Sequence, residues 1–167
     1  MKKLIEEYTG YNHWANQRLV TVLEKLSDEM LEKEISSSFS SIKKTLLHVI
    51  GAQEIWIRRM EGVSPGAFPT DGFSGTVRDL LDLLLAGSLR LKQLAQAADE
   101  AQLLAEKKYA TLKGGIVTST LYQVLAHVVN HGTYHRGQLV TLFRQVGVTD
   151  IPAFDLIFFY RDLQRNP

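Results

Sequence analysis

The sequence predicts an all-α chain, a four-helix bundle closed by a short C-terminal helix. Three observations predict it. Four long stretches place apolar residues at three- and four-residue steps, the segments between them are rich in Gly, Pro and Ser, and no stretch sustains the alternation of a strand. At 167 residues, 45% apolar and 22% charged, the chain can bury one good-sized core and reads as a single domain over 1–167.

The first helix carries Leu4, Tyr8, Tyr11, Ala15, Leu19, Val22 and Leu26 and stops near Ser27-Asp28, with Gly10 as a weak point inside it. The serines of 36–41 are N-cap candidates for the second, whose stripe Ile42, Leu46, Val49, Gln53, Trp56, Met60 ends at Gly62. Residues 62–75 contain two prolines and four glycines, so they form a surface connection longer than the usual helix–helix loop. The third helix spans about 76–99, with Val77, Leu80, Leu84, Leu91, Leu94 and Ala98 on one face. In 107–117, Gly114-Gly115 marks a turn flanked by short extended pieces. The fourth helix opens at Thr120, spaced from Gln123 as in a capping box, and runs to Val146 before Gly147. The aromatic stretch 154–161 needs shelter from water and predicts a short closing helix packed on the bundle.

Composition narrows the chemistry. Nineteen Lys+Arg against eighteen Asp+Glu leave a net charge of +1, with no basic run able to neutralise several phosphates, which argues against nucleic-acid binding. Cysteine is absent, excluding disulfides, thiolate metal sites and a cysteine nucleophile, so any metal is held by nitrogen or oxygen. The N-terminus shows no secretion signal and no apolar run reaches the roughly 20 residues of a membrane span, so a soluble, cytoplasmic protein is expected.

Three of the five histidines, His127, His131 and His135, are spaced four apart on the fourth helix and face the same way. The outer two lie about 12 Å apart along the axis, so only an adjacent pair can share an ion. Counted from the apolar stripe, His135 is innermost and His127 outermost, which makes His131 and His135 the inward pair. An i, i+4 pair also occurs among ordinary hydrogen-bonded core histidines. A third ligand would be His48 or His13; spacing leaves the choice open, and His48 has the more apolar surroundings in its helix, whereas His13 lies opposite its stripe and is expected exposed. The segment His131–His135 lacks the glutamate of zinc proteases, and no histidine has a glutamate three residues before it, which removes the di-iron carboxylate reading.

The stretch Leu125–Leu139, LAHVVNHGTYHRGQL, resembles the hallmark of the DinB/YfiT-like family of metal-dependent enzymes. Tyr11–Asn16 on the first helix, Thr45–His48 with Glu54 and Trp56 on the second, and the closing Asp155–Asp162 extend the resemblance over nearly the whole chain. It implies an up-down-down-up four-helix bundle, commonly a homodimer, with a divalent metal held by His48, His131 and His135. The family is similar in fold to thiol-dependent enzymes, among them mycothiol-dependent maleylpyruvate isomerase and bacillithiol S-transferases.

Three imidazoles on one ion leave positions open for water or substrate, the pattern of a catalytic site. Zinc or nickel is expected first, with iron or manganese as further candidates, since imidazole suits several of these ions. The expected function is a metal-dependent transferase, isomerase or hydrolase acting on a small-molecule substrate through activated water or a low-molecular-weight thiol. The alternative is a non-catalytic stress-response dimer with a structural or storage metal. Catalytic side chains beyond the ligands are not assigned. His127 reads as a packed or partly exposed polar residue, Tyr134 as core, Arg136 as a surface ion-pairing residue, and Glu54 and Asp155 as residues orienting partner side chains. Trp14, Trp56, Phe158 and Phe159 are candidates for a pocket wall near the metal, or for core.

Overall fold

The computed structural model describes residues 1–165. Among them are seven helices and one two-stranded antiparallel hairpin: α1 (Lys2–Leu23), α2 (Asp28–Glu32), α3 (Ile42–Met60), α4 (Val77–Ala97), α5 (Glu100–Leu104), β1 (Glu106–Ala110), β2 (Ile116–Thr120), α6 (Leu121–Gln145) and α7 (Leu156–Arg165). The chain is therefore mostly helical. The four long helices are the four periodic stretches, and the extended pieces flanking Gly114 pair as a small sheet with Tyr109 opposite Val117. No described helix is long and apolar enough to cross a membrane.

Side chains set the helix starts. Ser41 accepts the Lys44 N–H at 3.1 Å and opens α3, while Thr76 and Asp79 bond each other's backbone N–H groups to open α4. Gln123 accepts the Thr120 N–H at 2.9 Å where β2 passes directly into α6. Asp99, which periodicity would include in α4, instead caps α5 by accepting the Gln102 N–H at 2.7 Å. Gly147 ends α6 with φ +93, a conformation glycine adopts without strain.

Pairwise contacts give the course of the long helices. Lys2 reaches Gln96 and Arg78 reaches Glu24, so α1 and α4 run antiparallel. Gln53 donates to the Leu84 carbonyl and Arg90 to Glu61, so α3 and α4 run parallel. Trp56 meets His127 while His48 meets His135, so α3 and α6 run antiparallel.

Two apolar clusters hold these helices together. One gathers Leu19, Leu23, Ile42, Leu46, Leu80, Leu84, Leu139 and Phe143; the other gathers Ile5, Ile57, Leu91, Leu103, Leu121 and Leu125. Each such side chain contributes about 1.5–3 kcal/mol by leaving water. Between the clusters, at the same level of all four helices, the buried side chains turn polar: Asn12 and Asn16, Gln53, Ser88, and His135 with Arg136. A smaller cluster of Tyr11, Ala15, Val129 and Phe159 seats α7 against α1 and α6.

Candidate metal centre

His131 and His135 project from α6 one turn apart, and His48 projects toward them from α3. The Nε2 atom of His131 is 3.1 Å from Nε2 of His48 and 3.0 Å from Nε2 of His135, and one ligand nitrogen from each of the three rings falls within 4.8 Å of the others. Imidazole nitrogens this close together could ligate one ion at the usual bond lengths of about 2.0–2.1 Å. The inward order expected along α6 is the one observed: His135 is buried, His131 half-buried and His127 exposed.

The donor set suits a cation. His135 Nδ1–H donates to Gln138 Oε1 at 2.7 Å, which leaves the Nε2 lone pair facing the other two rings. His131 Nε2 lies within hydrogen-bond distance of two other Nε2 atoms, yet a neutral ring offers it one proton at most. A divalent ion would satisfy all three lone pairs together. Burial lowers the pKa of each ring; His131 is brought down to about 4, mainly by burial and further by the neighbouring His135, His48 and His127. The rings are thus neutral at pH 7, the state in which imidazole ligates.

Aromatic side chains from two loops enclose His48. Phe39 stacks on its ring at 4.2 Å between centroids, and Phe68 lies nearly parallel on it at 5.6 Å. Phe68 reaches this position because residue 51 is glycine: a Cβ there would overlap Phe68 Cε1 and lie 2.7 Å from Cδ1 of the same ring and 2.5 Å from Thr70 Oγ1. Thr70 anchors the same loop by donating to the Leu47 carbonyl at 2.9 Å.

Neither phenylalanine nor Gln138 is marked by the sequence reading. Gln138, three residues beyond His135 on the same helical face, is the one that spacing can locate.

Several expectations are corrected. Tyr134 is not core: it is 63% exposed, with its ring edge-on to His135 at 5.0 Å. Arg136 is not at the surface; it is 3% exposed and bonded to Asn12, Asn16 and Thr133. Gly132 permits that arrangement, because a Cβ there would press within 3.0 Å of both Arg136 and Asn12. His13 is half-buried, with Nδ1 2.9 Å from the Ser88 hydroxyl, on α1 rather than beside the cluster. Glu54 pairs with Arg58 and Arg90 instead of orienting a histidine.

Of the four aromatics offered as pocket wall or as core, the core reading holds for Phe159, with Trp14 and Trp56 packed against the apolar clusters, and neither reading holds for Phe158. Trp14 and Phe159 pack on each other and on Tyr11, Phe158 is exposed under Arg161, and Trp56 packs on Tyr109 and the exposed His127. The reading of His127 as a partly exposed, packed residue agrees with that position.

The model of the DinB family matches residues 1–163. Protein DinB of Bacillus subtilis (strain 168) is 32% identical over 150 residues, covering 86% of each chain. Among solved structures, a DinB-like protein from Bacillus cereus ATCC 10987 superposes with a TM-score of 0.65 at 20% identity, covering 86% of this chain and 91% of that one. A DinB-like protein from Bacillus subtilis superposes with a TM-score of 0.63 at 18% identity, covering 89% and 96%. Both likenesses concern the fold.

Proposed function

The chain belongs to the DinB family, and from that premise we propose that it is a metal-dependent enzyme whose ion is held by His48, His131 and His135. The observation that carries this reading is the convergence of three Nε2 atoms, two of its separations being 3.0 and 3.1 Å. The helix directions support an up-down-down-up four-helix bundle, with the centre between its second and fourth long helices.

An ion with three imidazole ligands would keep open positions and supply Lewis acidity, polarising a water or a thiol so that it loses its proton readily. The remaining work falls to the chain. Gln138 fixes the tautomer and direction of His135, while Phe39 and Phe68 shield His48 from water on two sides. Tyr134 sets a phenol at the exposed rim beside His135, placed to donate to a substrate oxygen.

Because the chain has no cysteine, a thiol would enter as a small cosubstrate. The reaction is accordingly of the thiol-transfer, isomerisation or hydrolytic type, on a small molecule, with zinc or nickel as the ion and iron or manganese as further candidates.

Elemental analysis of protein purified without chelators tests the centre. About one divalent ion per chain is expected in the parent and none in a His131→Ala/His135→Ala variant. Equal trace content in both would remove the proposal.

A further inference from the structure

Where α1 and α6 meet the segment 151–156, a cavity of about 650 Å³ opens, lined by Tyr8, Arg136, Arg144, Ile151, Phe154 and Asp155 among others. Arg136 is the unusual member. Its Nη1 donates to Asn12 Oδ1 at 2.8 Å and Asn16 Oδ1 at 3.0 Å, and its Nη2 to Thr133 Oγ1 at 2.8 Å. All these acceptors are neutral, and the buried Nε has no partner. A guanidinium that is 3% exposed thus has no carboxylate on it among the described ion pairs.

The unpaired edge of Arg136 and the lining together point to a ligand class. Nε and Nη2 form the edge on which a guanidinium grips a carboxylate through two parallel N–H groups, and on this edge Nε is unpaired while Nη2 has one neutral partner. Arg144 adds a second cation to the lining and Tyr8 a phenol, against the single carboxylate of Asp155. Ile151 and Phe154 supply apolar wall. We propose that this cavity binds a small organic carboxylate, its charge toward Arg136 and Arg144 and its apolar body against Ile151 and Phe154. The site is separate from the three-histidine cluster and does not depend on a metal there: Arg136 faces α1, whereas His131 and His135 face α3.

Calorimetric titration of the full chain with benzoate, with and without added zinc, tests it. Saturable binding to one site per chain is expected in both states and in the His131→Ala/His135→Ala variant. Benzyl alcohol, which lacks the charge, should bind about tenfold more weakly. Arg144→Gln should weaken benzoate several-fold, and Arg136→Lys should weaken it while keeping a charge; Arg144→Gln remains informative if the Arg136 variant fails to fold. Equal affinity for benzoate and benzyl alcohol, binding that requires zinc or the histidines, or indifference to Arg144→Gln would each overturn the proposal. Inorganic phosphate binding as tightly as benzoate would overturn the assignment to an organic carboxylate.

Discussion

Replacing Gly51 with alanine tests whether the loop after α3 is seated on the helix beside His48. The added Cβ would lie 2.7 Å from Phe68 Cδ1 and 2.5 Å from Thr70 Oγ1, whereas carbon atoms pack at about 3.5–4.0 Å. Phe68 Cε1 would be nearer still, so the ring has to retreat by more than about 1 Å, and the Thr70 hydroxyl is pushed from the Leu47 carbonyl it now meets at 2.9 Å. Overpacking of this kind costs about 2 kcal/mol, and the better helix propensity of alanine returns about 1 kcal/mol. The net loss of about 1 kcal/mol should lower Tm by about 3 °C. Cleavage by chymotrypsin after Phe73, in the same loop, should accelerate, while Phe68 is protected by the following Pro69. Thermal unfolding followed by circular dichroism and timed proteolysis measure the two effects. A Tm that holds or rises, with unchanged cleavage, would refute the seating of Phe68 in the space that Gly51 leaves.

Other perturbations reach the centre and its surroundings. Gln138→Ala removes the acceptor 2.7 Å from His135 Nδ1 and should weaken zinc binding about tenfold, read by competition with a chromophoric chelator; unchanged affinity would show that Gln138 does not orient the ligand. Burial, with the charge of Lys92 adding to it, holds the pKa of His13 below its ordinary 6.5, so the unfolded chain takes up a proton there more readily than the native one. The contribution of His13 to stability is therefore fully present above pH 6.5 and is lost as the pH falls from there toward its lower folded value. Urea midpoints measured through that window should fall less steeply for His13→Gln than for the parent, and parallel curves would contradict the assignment.

The parts of the fold legible in the sequence are those that repeat. Apolar positions at three- and four-residue steps recur over the 19 to 25 residues of α1, α3, α4 and α6, and repetition makes each stripe robust to single exceptions. The five-residue helices α2 and α5 complete little more than one turn and leave no period to read; only their caps, Ser27 and the Asp99–Gln102 pair, signal them. The three histidines follow the same division. His131 and His135 share a face by helical spacing alone, whereas the place of His48 depends on how α3 packs on α6, which local sequence does not encode. Arg136 shows the limit most clearly: a long cationic side chain beside His135 looks like a surface residue until Gly132, Asn12 and Asn16 on two helices are seen to form its berth.

That berth also explains how a helical protein tolerates a polar centre. Asn12, Asn16, Gln53, Ser88, His135 and Arg136 all bury polar atoms at one level of the four long helices, where apolar packing would stabilise the fold more directly. The clusters on either side, anchored by Leu19, Leu46, Leu84 and Phe143 at one end and by Ile57, Leu91 and Leu125 at the other, bury side chains at 0 to 1% exposure. Each end holds the helix axes in place independently of the level between them. Two of the glycines found there, Gly51 and Gly132, then ease the seating of neighbouring side chains: at Gly51 a Cβ would overlap the Phe68 ring over His48, and at Gly132 it would crowd Arg136 and Asn12 at 3.0 Å. The centre can be rigid without being apolar because its backbone is clamped from both ends, and its side chains are fixed by hydrogen bonds and close contacts rather than by hydrophobic burial of their own.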